Sequence, residues 1–224
     1  MKTIIRTITL AAALLALPAP AQNTTVMEPI VTTNSPVPIE EPKDEGWSFG
    51  VSAYQFFVPD DNDYFQPTIT LDHKWLHLEG RYNYEDLHTA SFWAGYNFGG
   101  GETVAWEFTP MLGGVFGDTA GLAPGYKGSV SWWWLELYSE GEYLFDSRDS
   151  SDSFFYNWSE LTLNPVDWFR IGMVTQRTKV YETDRDIQRG LLVGFTFKRW
   201  DFTTYVLNPD RSEPTVALAV SFGF

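Results

Sequence analysis

The last ten residues, TVALAVSFGF at 215–224, alternate without a break. Val216, Leu218, Val220, Phe222 and Phe224 fall on one face, and Thr215, Ala217, Ala219, Ser221 and Gly223 on the other. A period of two marks a strand with one apolar side. The pattern recurs upstream. After Trp75, Leu76, Leu78, Gly80, Tyr82 and Tyr84 oppose His77, Glu79, Arg81 and Asn83. Further on, Leu135, Leu137, Ser139, Gly141, Tyr143 and Phe145 oppose Glu136, Tyr138, Glu140 and Glu142. No sustained 3.6-residue period follows Trp47, so the fold is all-β. Alternation alone also suits a soluble sandwich.

The punctuation between strands narrows the choice. Tryptophans stand beside short polar turns at Trp47, Trp75, Trp106, Trp133, Trp168 and Trp200, spaced 28, 31, 27, 35 and 32 residues apart. That spacing is the length of a long hairpin. Tryptophan favours a membrane–water boundary, where its ring is buried and its N–H is wetted. Six such markers at one end read as an interfacial girdle. The opposite connections, near 59–64, 85–90, 117–121, 147–153, 178–188 and 208–214, are longer and polar. Short turns at one end and long loops at the other are the pattern of a transmembrane barrel. Residues 47–224 then predict twelve strands of about 10 residues each. Pro110, Pro124 and the pair Gly113-Gly114 keep a ten-strand alternative open, with an irregular excursion between Gly113 and Tyr126.

The ends and the composition agree with export. Lys2 and Arg6 precede an apolar run from Ile8 to Leu17, and Ala19-Pro20-Ala21 supplies small residues for cleavage near Ala21. Residues 1–21 therefore read as a signal peptide and 22–46, with four prolines and no aromatic residue, as a disordered acidic linker. The barrel occupies 47–224. The 224-residue chain carries a net charge of −14, which argues against nucleic-acid partners. It has no cysteine, which removes thiol catalysis and cysteine-ligated metals. The 17 Phe, 11 Tyr and 10 Trp coexist with a mean hydropathy of only −0.21, as expected of an apolar outer face averaged with a charged inner one.

The signal peptide, the alternating strands and the terminal SFGF together resemble a bacterial outer-membrane β-barrel. The resemblance covers about four fifths of the chain and implies an up-and-down antiparallel barrel. It further implies that Phe222 and Phe224 are part of the signal read by the barrel-assembly machinery. Outer-membrane lipid and lipopolysaccharide are the expected surroundings, and the barrel is expected to be monomeric.

The polar face then lines a lumen. Its charged set is Glu79, Arg81, Glu107, Lys127, Glu136, Glu140, Glu142, Glu160 and Arg170. Folding the hairpins about their turns places Lys127 across from Tyr138, and Glu160 beside Glu136 and near Arg170. Two readings stay open. One is a small, passive, cation-leaning channel with an acidic wall. The other is a structural or binding barrel, its interior packed by ion pairs and by Trp93, Tyr138, Tyr156 and Trp158. A rim hydrolase is the third class, and it has little to build on. His73 and His77 flank a turn at the girdle end, and His88 has no serine at a recognisable spacing. No catalytic, cofactor or metal residue is assigned, and the oxygen-rich runs at 60–63 and 146–152 lack the glycine and terminal glutamate of a calcium loop.

Overall fold

A computed structural model describes residues 46–59, 62–180 and 186–224. The expected signal peptide lies outside the described residues, as does the expected linker up to residue 45. Thirteen strands follow in order: β1 Ser48–Phe57, β2 Tyr64–His73, β3 Leu76–Tyr82, β4 Thr89–Tyr96, β5 Phe98–Gly100, β6 Val104–Gly117 and β7 Gly121–Trp132. They continue as β8 Leu135–Asp146, β9 Phe154–Val166, β10 Phe169–Val180, β11 Asp186–Phe197, β12 Trp200–Leu207 and β13 Thr215–Gly223. β4 and β5 both pair with β6 across the break at Asn97 and form one stave. All pairings are antiparallel. β1 meets β13 in unbroken register from Gly50↔Gly223 to Phe57↔Val216. The ring therefore closes with twelve staves, and no edge is left unpaired.

The ten-strand alternative is not adopted. β6 and β7 pair continuously from Val104↔Trp132 to Val115↔Gly121, straight past both prolines. Pro124 is accommodated on its other side, where the β7–β8 register skips from Leu122↔Phe145 to Gly125↔Glu142. A residue without an N–H thus costs a local gap rather than a strand. Gly113 has a packing role. A Cβ there would meet three ring atoms of Trp93 at 2.5, 2.5 and 2.7 Å, and that indole is wholly buried. Gly113→Ala is expected to destabilise the barrel by about 1–3 kcal/mol through overpacking, as read by urea unfolding in lipid vesicles.

Tight two-residue turns at 74–75, 133–134, 167–168 and 198–199 join staves at one end. Lys74, Trp133 and Lys198 hold left-handed φ of 56°, 60° and 58° there. The six girdle tryptophans gather at this end, and all of them project outward, the least exposed at 44% and Trp133 at 86%. Above them the outward positions form an apolar belt that includes Phe65, Ile69, Phe92, Leu112, Met173 and Phe202, all exposed. No soluble domain leaves such a belt uncovered.

Inside, the register differs from expectation in two places. Lys127 stands opposite Glu140, and Ser129 takes the place opposite Tyr138. Glu160 stands opposite Tyr138 on β8 and Val174 on β10, while Thr162 holds the position beside Glu136. Both shifts are of two residues. A two-residue slip preserves which face a side chain occupies, so alternation could not detect it.

Candidate functional site

The barrel interior is bridged from wall to wall. Arg81 of β3 is the centre of the bridge and is buried with Glu79. Its Nε donates to Glu79 Oε1 at 2.7 Å, and its Nη1 donates to Glu142 Oε2 of β8 at 2.9 Å. β8 lies four staves away around the ring, with the β4/β5 stave, β6 and β7 between. The guanidinium is also packed between the rings of Tyr84, at 4.1 Å, and Trp93, at 4.5 Å. Lys127 of β7 crosses the same space to donate to Glu79 Oε2 at 2.5 Å and stands 3.9 Å from Glu140. Below, His77 meets Asp72 at 2.8 Å and Glu79 at 3.1 Å, one carboxylate at each ring nitrogen.

Two further residues enter this network from the loop after β3. Asn83 takes φ 54° and turns the chain. Tyr84, expected on the outward face, is instead carried into the lumen, where its hydroxyl donates to Glu140 Oε1. Glu85 follows it inward, accepts from Ser91 Oγ at 2.5 Å and lies 3.8 Å from Arg81 Nη1. The connection between β3 and β4 therefore dips into the barrel at these two residues. Four carboxylates, Glu79, Glu85, Glu140 and Glu142, surround Arg81 and Lys127. Glu85 Oε2 and Glu142 Oε1 are buried without a hydrogen-bond partner.

A second cluster sits nearer the girdle. Arg170 of β10 grips both Asp201 carboxylate oxygens of β12 in a fork, with Nη2 to Oδ1 at 2.6 Å. Thr196 and Thr203 hydroxyls donate to the same carboxylate at 2.9 and 3.0 Å. A planar guanidinium matches a carboxylate in this way and fixes its geometry. Asp201 was not among the expected lumen charges. Its inward parity with Thr203 and Tyr205 was the available signal, hidden by its place beside a short turn. Glu136 accepts from Asn164 at 3.3 Å in this lower region, and Glu107 occupies an inward position on β6. Glu160 accepts from Trp158 at 2.8 Å and from Tyr205, three staves away, at 2.9 Å.

Aromatic rings complete the filling. Trp158 meets Tyr205 edge-on at 5.3 Å and Tyr54 at 6.4 Å, and Tyr84 meets Tyr156 at 5.5 Å. Toward the loop end the interior is apolar, with Phe56, Leu192 and Leu207 in one cluster and Met111, Val115 and Leu144 in another. One wall is different. β1, β2 and β13 turn small or polar side chains inward over much of their length, Ser52, Gln66, Thr68, Thr70, Ala219 and Ser221, with Tyr54, Phe56 and Tyr64 as the aromatic exceptions. Against the β1–β2 part of this wall, where Tyr54 and Phe56 also line it, lies a cavity of about 20 Å³, bounded across from it by Glu79, Lys127 and Glu140. That is room for about one or two waters.

The candidate rim chemistry does not assemble. His73 stacks on Trp47 at 4.7 Å, while His77 faces inward, so the two do not converge. His88 is an exposed loop residue whose backbone N–H donates to Asn83. Among the described residues no group of three His, Asp or Glu side chains is arranged to hold a metal ion. In the 146–152 run, Asp149 accepts from the Ser151 hydroxyl and backbone N–H, which holds its carboxyl below the ordinary range. These carboxylates order their own loop. The 60–63 run lies partly outside the described residues.

Solved structures share this architecture. KdgM porin superposes with a TM-score of 0.56 at 12% identity, over 78% of this chain and 99% of that one. The chain has the fold of an outer-membrane porin barrel. A structure of KdgM porin in complex with disordered oligogalacturonate gives the same TM-score of 0.56 at 13% identity, again over 78% and 99% of the two chains. A third similar chain, from work on the in-meso crystallization of membrane proteins, gives 0.53 at 9% identity over 79% and 83%. No protein-family model and no curated protein matches the sequence. This porin-type barrel differs from an open tube in that its own side chains span the lumen.

Proposed function

We propose that the protein is an outer-membrane channel of low conductance that passes small solutes, cations before anions, along the β1–β2 wall. The observation that carries this reading is the water-sized cavity between the Ser52, Gln66, Thr68 and Thr70 side chains of β1 and β2 and the Glu79–Lys127–Glu140 face. The likeness to porins in fold supports it, and so does the excess of carboxylates over cations around the cavity. An acidic wall in a low-dielectric tube concentrates cations. In the same reading, the barrel sits in the outer membrane as a monomer, with the tryptophan girdle at the periplasmic boundary. Its last strand, with Phe222 and Phe224 outward, is what the assembly machinery reads.

Planar-bilayer recording of the purified barrel tests this. Small discrete steps are expected, with a reversal potential that favours potassium over chloride. Glu140→Gln removes one wall charge and is expected to lower that preference about fivefold, the effect of ~1 kcal/mol at a partly hydrated site. Absence of steps in both polarities overturns conduction.

A second reading has its own observation. The Tyr54–Trp158–Tyr205 cluster and the apolar loop-end packing make the lumen a core. A sealed structural or binding barrel follows from that packing. In such a barrel Glu140→Gln lowers resistance to unfolding and leaves no electrical trace.

A further inference from the structure

Charge is almost absent from the outward face of this acidic protein. Among strand residues whose side chains are described, no outward position carries a carboxylate. Two carry a cation, Arg177 of β10 and Arg189 of β11. Arg177 pairs with Ile187, and Thr175 pairs with Arg189, so the two arginines are diagonal neighbours on adjacent staves. Both stand within four residues of the loop end of their strands. Toward the girdle, the same two staves present Ile171, Met173, Leu191 and Phe195, which are 44–56% exposed. The surface is thus amphipathic along its length, with a clean apolar track capped by two guanidinium groups.

An arginine on the lipid face costs about 2–4 kcal/mol at the bilayer midplane and about 0–1 near the interface. Placing two together at the loop end sets them among headgroups, and an anion there turns a cost into an attraction. Arg177 lies over the Phe155 ring at 5.6 Å, and its Nε is buried without a hydrogen-bond partner. Arg189 reaches Asp210 at 3.4 Å, a contact exposed on both sides that competes weakly with a second anion. Guanidinium forks match phosphate oxygens in pairs. The neighbouring loop after β8 carries Asp149 and Asp152 against the single Arg148, so an anionic lipid meets more attraction at the arginine pair than there.

We infer that Arg177 and Arg189 seat the phosphate of an outer-leaflet phosphorylated glycolipid whose acyl chains lie along Ile171, Met173, Leu191 and Phe195. The inference rests on the outer-membrane placement proposed above and is independent of conduction. The test uses the full-length mature chain refolded in detergent, with bisphosphorylated lipid A and its dephosphorylated counterpart as probes, read by native mass spectrometry.

The wild-type barrel is expected to retain the phosphorylated lipid. The R177Q/R189Q variant is expected to retain it at least about tenfold less, the loss of two surface cations at a membrane. The dephosphorylated lipid should be held equally poorly by both. R189Q alone provides an intermediate reading if the double variant does not fold. Equal retention of the phosphorylated lipid by wild type and variant overturns the inference. So does displacement by millimolar inorganic phosphate, which marks a free-anion site, and so does a lipid-independent dimer mass lost in the variant, which marks a contact between copies. A chain that fails to fold in detergent and in bilayers refutes the membrane placement itself, an outcome distinct from these.

Discussion

Arg81→Met is expected to cost the barrel about 3–5 kcal/mol, the range for removing one partner of a buried ion pair. The residue is 5% exposed and satisfies Glu79 on its own stave and Glu142 four staves away. Methionine fills much of the volume between Tyr84 and Trp93 but leaves Glu142 with no cation at hydrogen-bond distance. Glu79 keeps Lys127 and His77, so the damage falls on the β8 side. Urea titration in vesicles, followed by tryptophan fluorescence, measures the loss. Heat-modifiable migration on gels should fail at a lower temperature. Arg81→Lys keeps the charge but cannot reach both carboxylates with a planar fork, and it should fall between the two. A cost below about 1 kcal/mol for the methionine variant, the scale of an exposed pair, would show that the cross-barrel bridge carries no weight.

Trp158→Ala has the second large effect, and it separates the two functional readings. Trp158 is 4% exposed, bounds the 20 Å³ cavity and touches Tyr54 and Tyr205. Truncating a buried aromatic residue costs about 3–5 kcal/mol. It also removes one of the two donors to Glu160. The vacated indole volume joins the existing cavity along the polar wall, so single-channel conductance should rise severalfold. If the variant loses stability and bilayers stay silent, the interior is a core and the sealed-barrel reading stands.

Much of the architecture was legible because a membrane barrel writes its two environments into alternate residues. The outward positions of β13 follow the period without exception, and the tryptophans mark each short turn, so twelve staves could be counted. The partners inside were less legible. Facing is invariant to a two-residue slip, and Lys127 therefore paired with Glu140 where Tyr138 was expected. Tyr84 and Glu85 escaped for another reason. The left-handed Asn83 reverses their direction, and nothing in the alternation upstream announces a turn that bends inward. Asp201 was hidden by proximity to a turn, and Glu160, expected near Arg170, already supplied that cation with an acid.

The seam between β1 and β13 joins the two strands farthest apart in the chain, so its pairing carries the largest loop-closure cost in the ring. On its inward side β13 offers the small Ala217, Ala219 and Ser221, while β1 contributes Ser52, Tyr54 and Phe56, which also line the cavity. Permeability and completeness of folding thereby fall on the same few residues. A barrel whose seam is frayed should leak before it unfolds, and dye release from vesicles during refolding would time the closing of the ring.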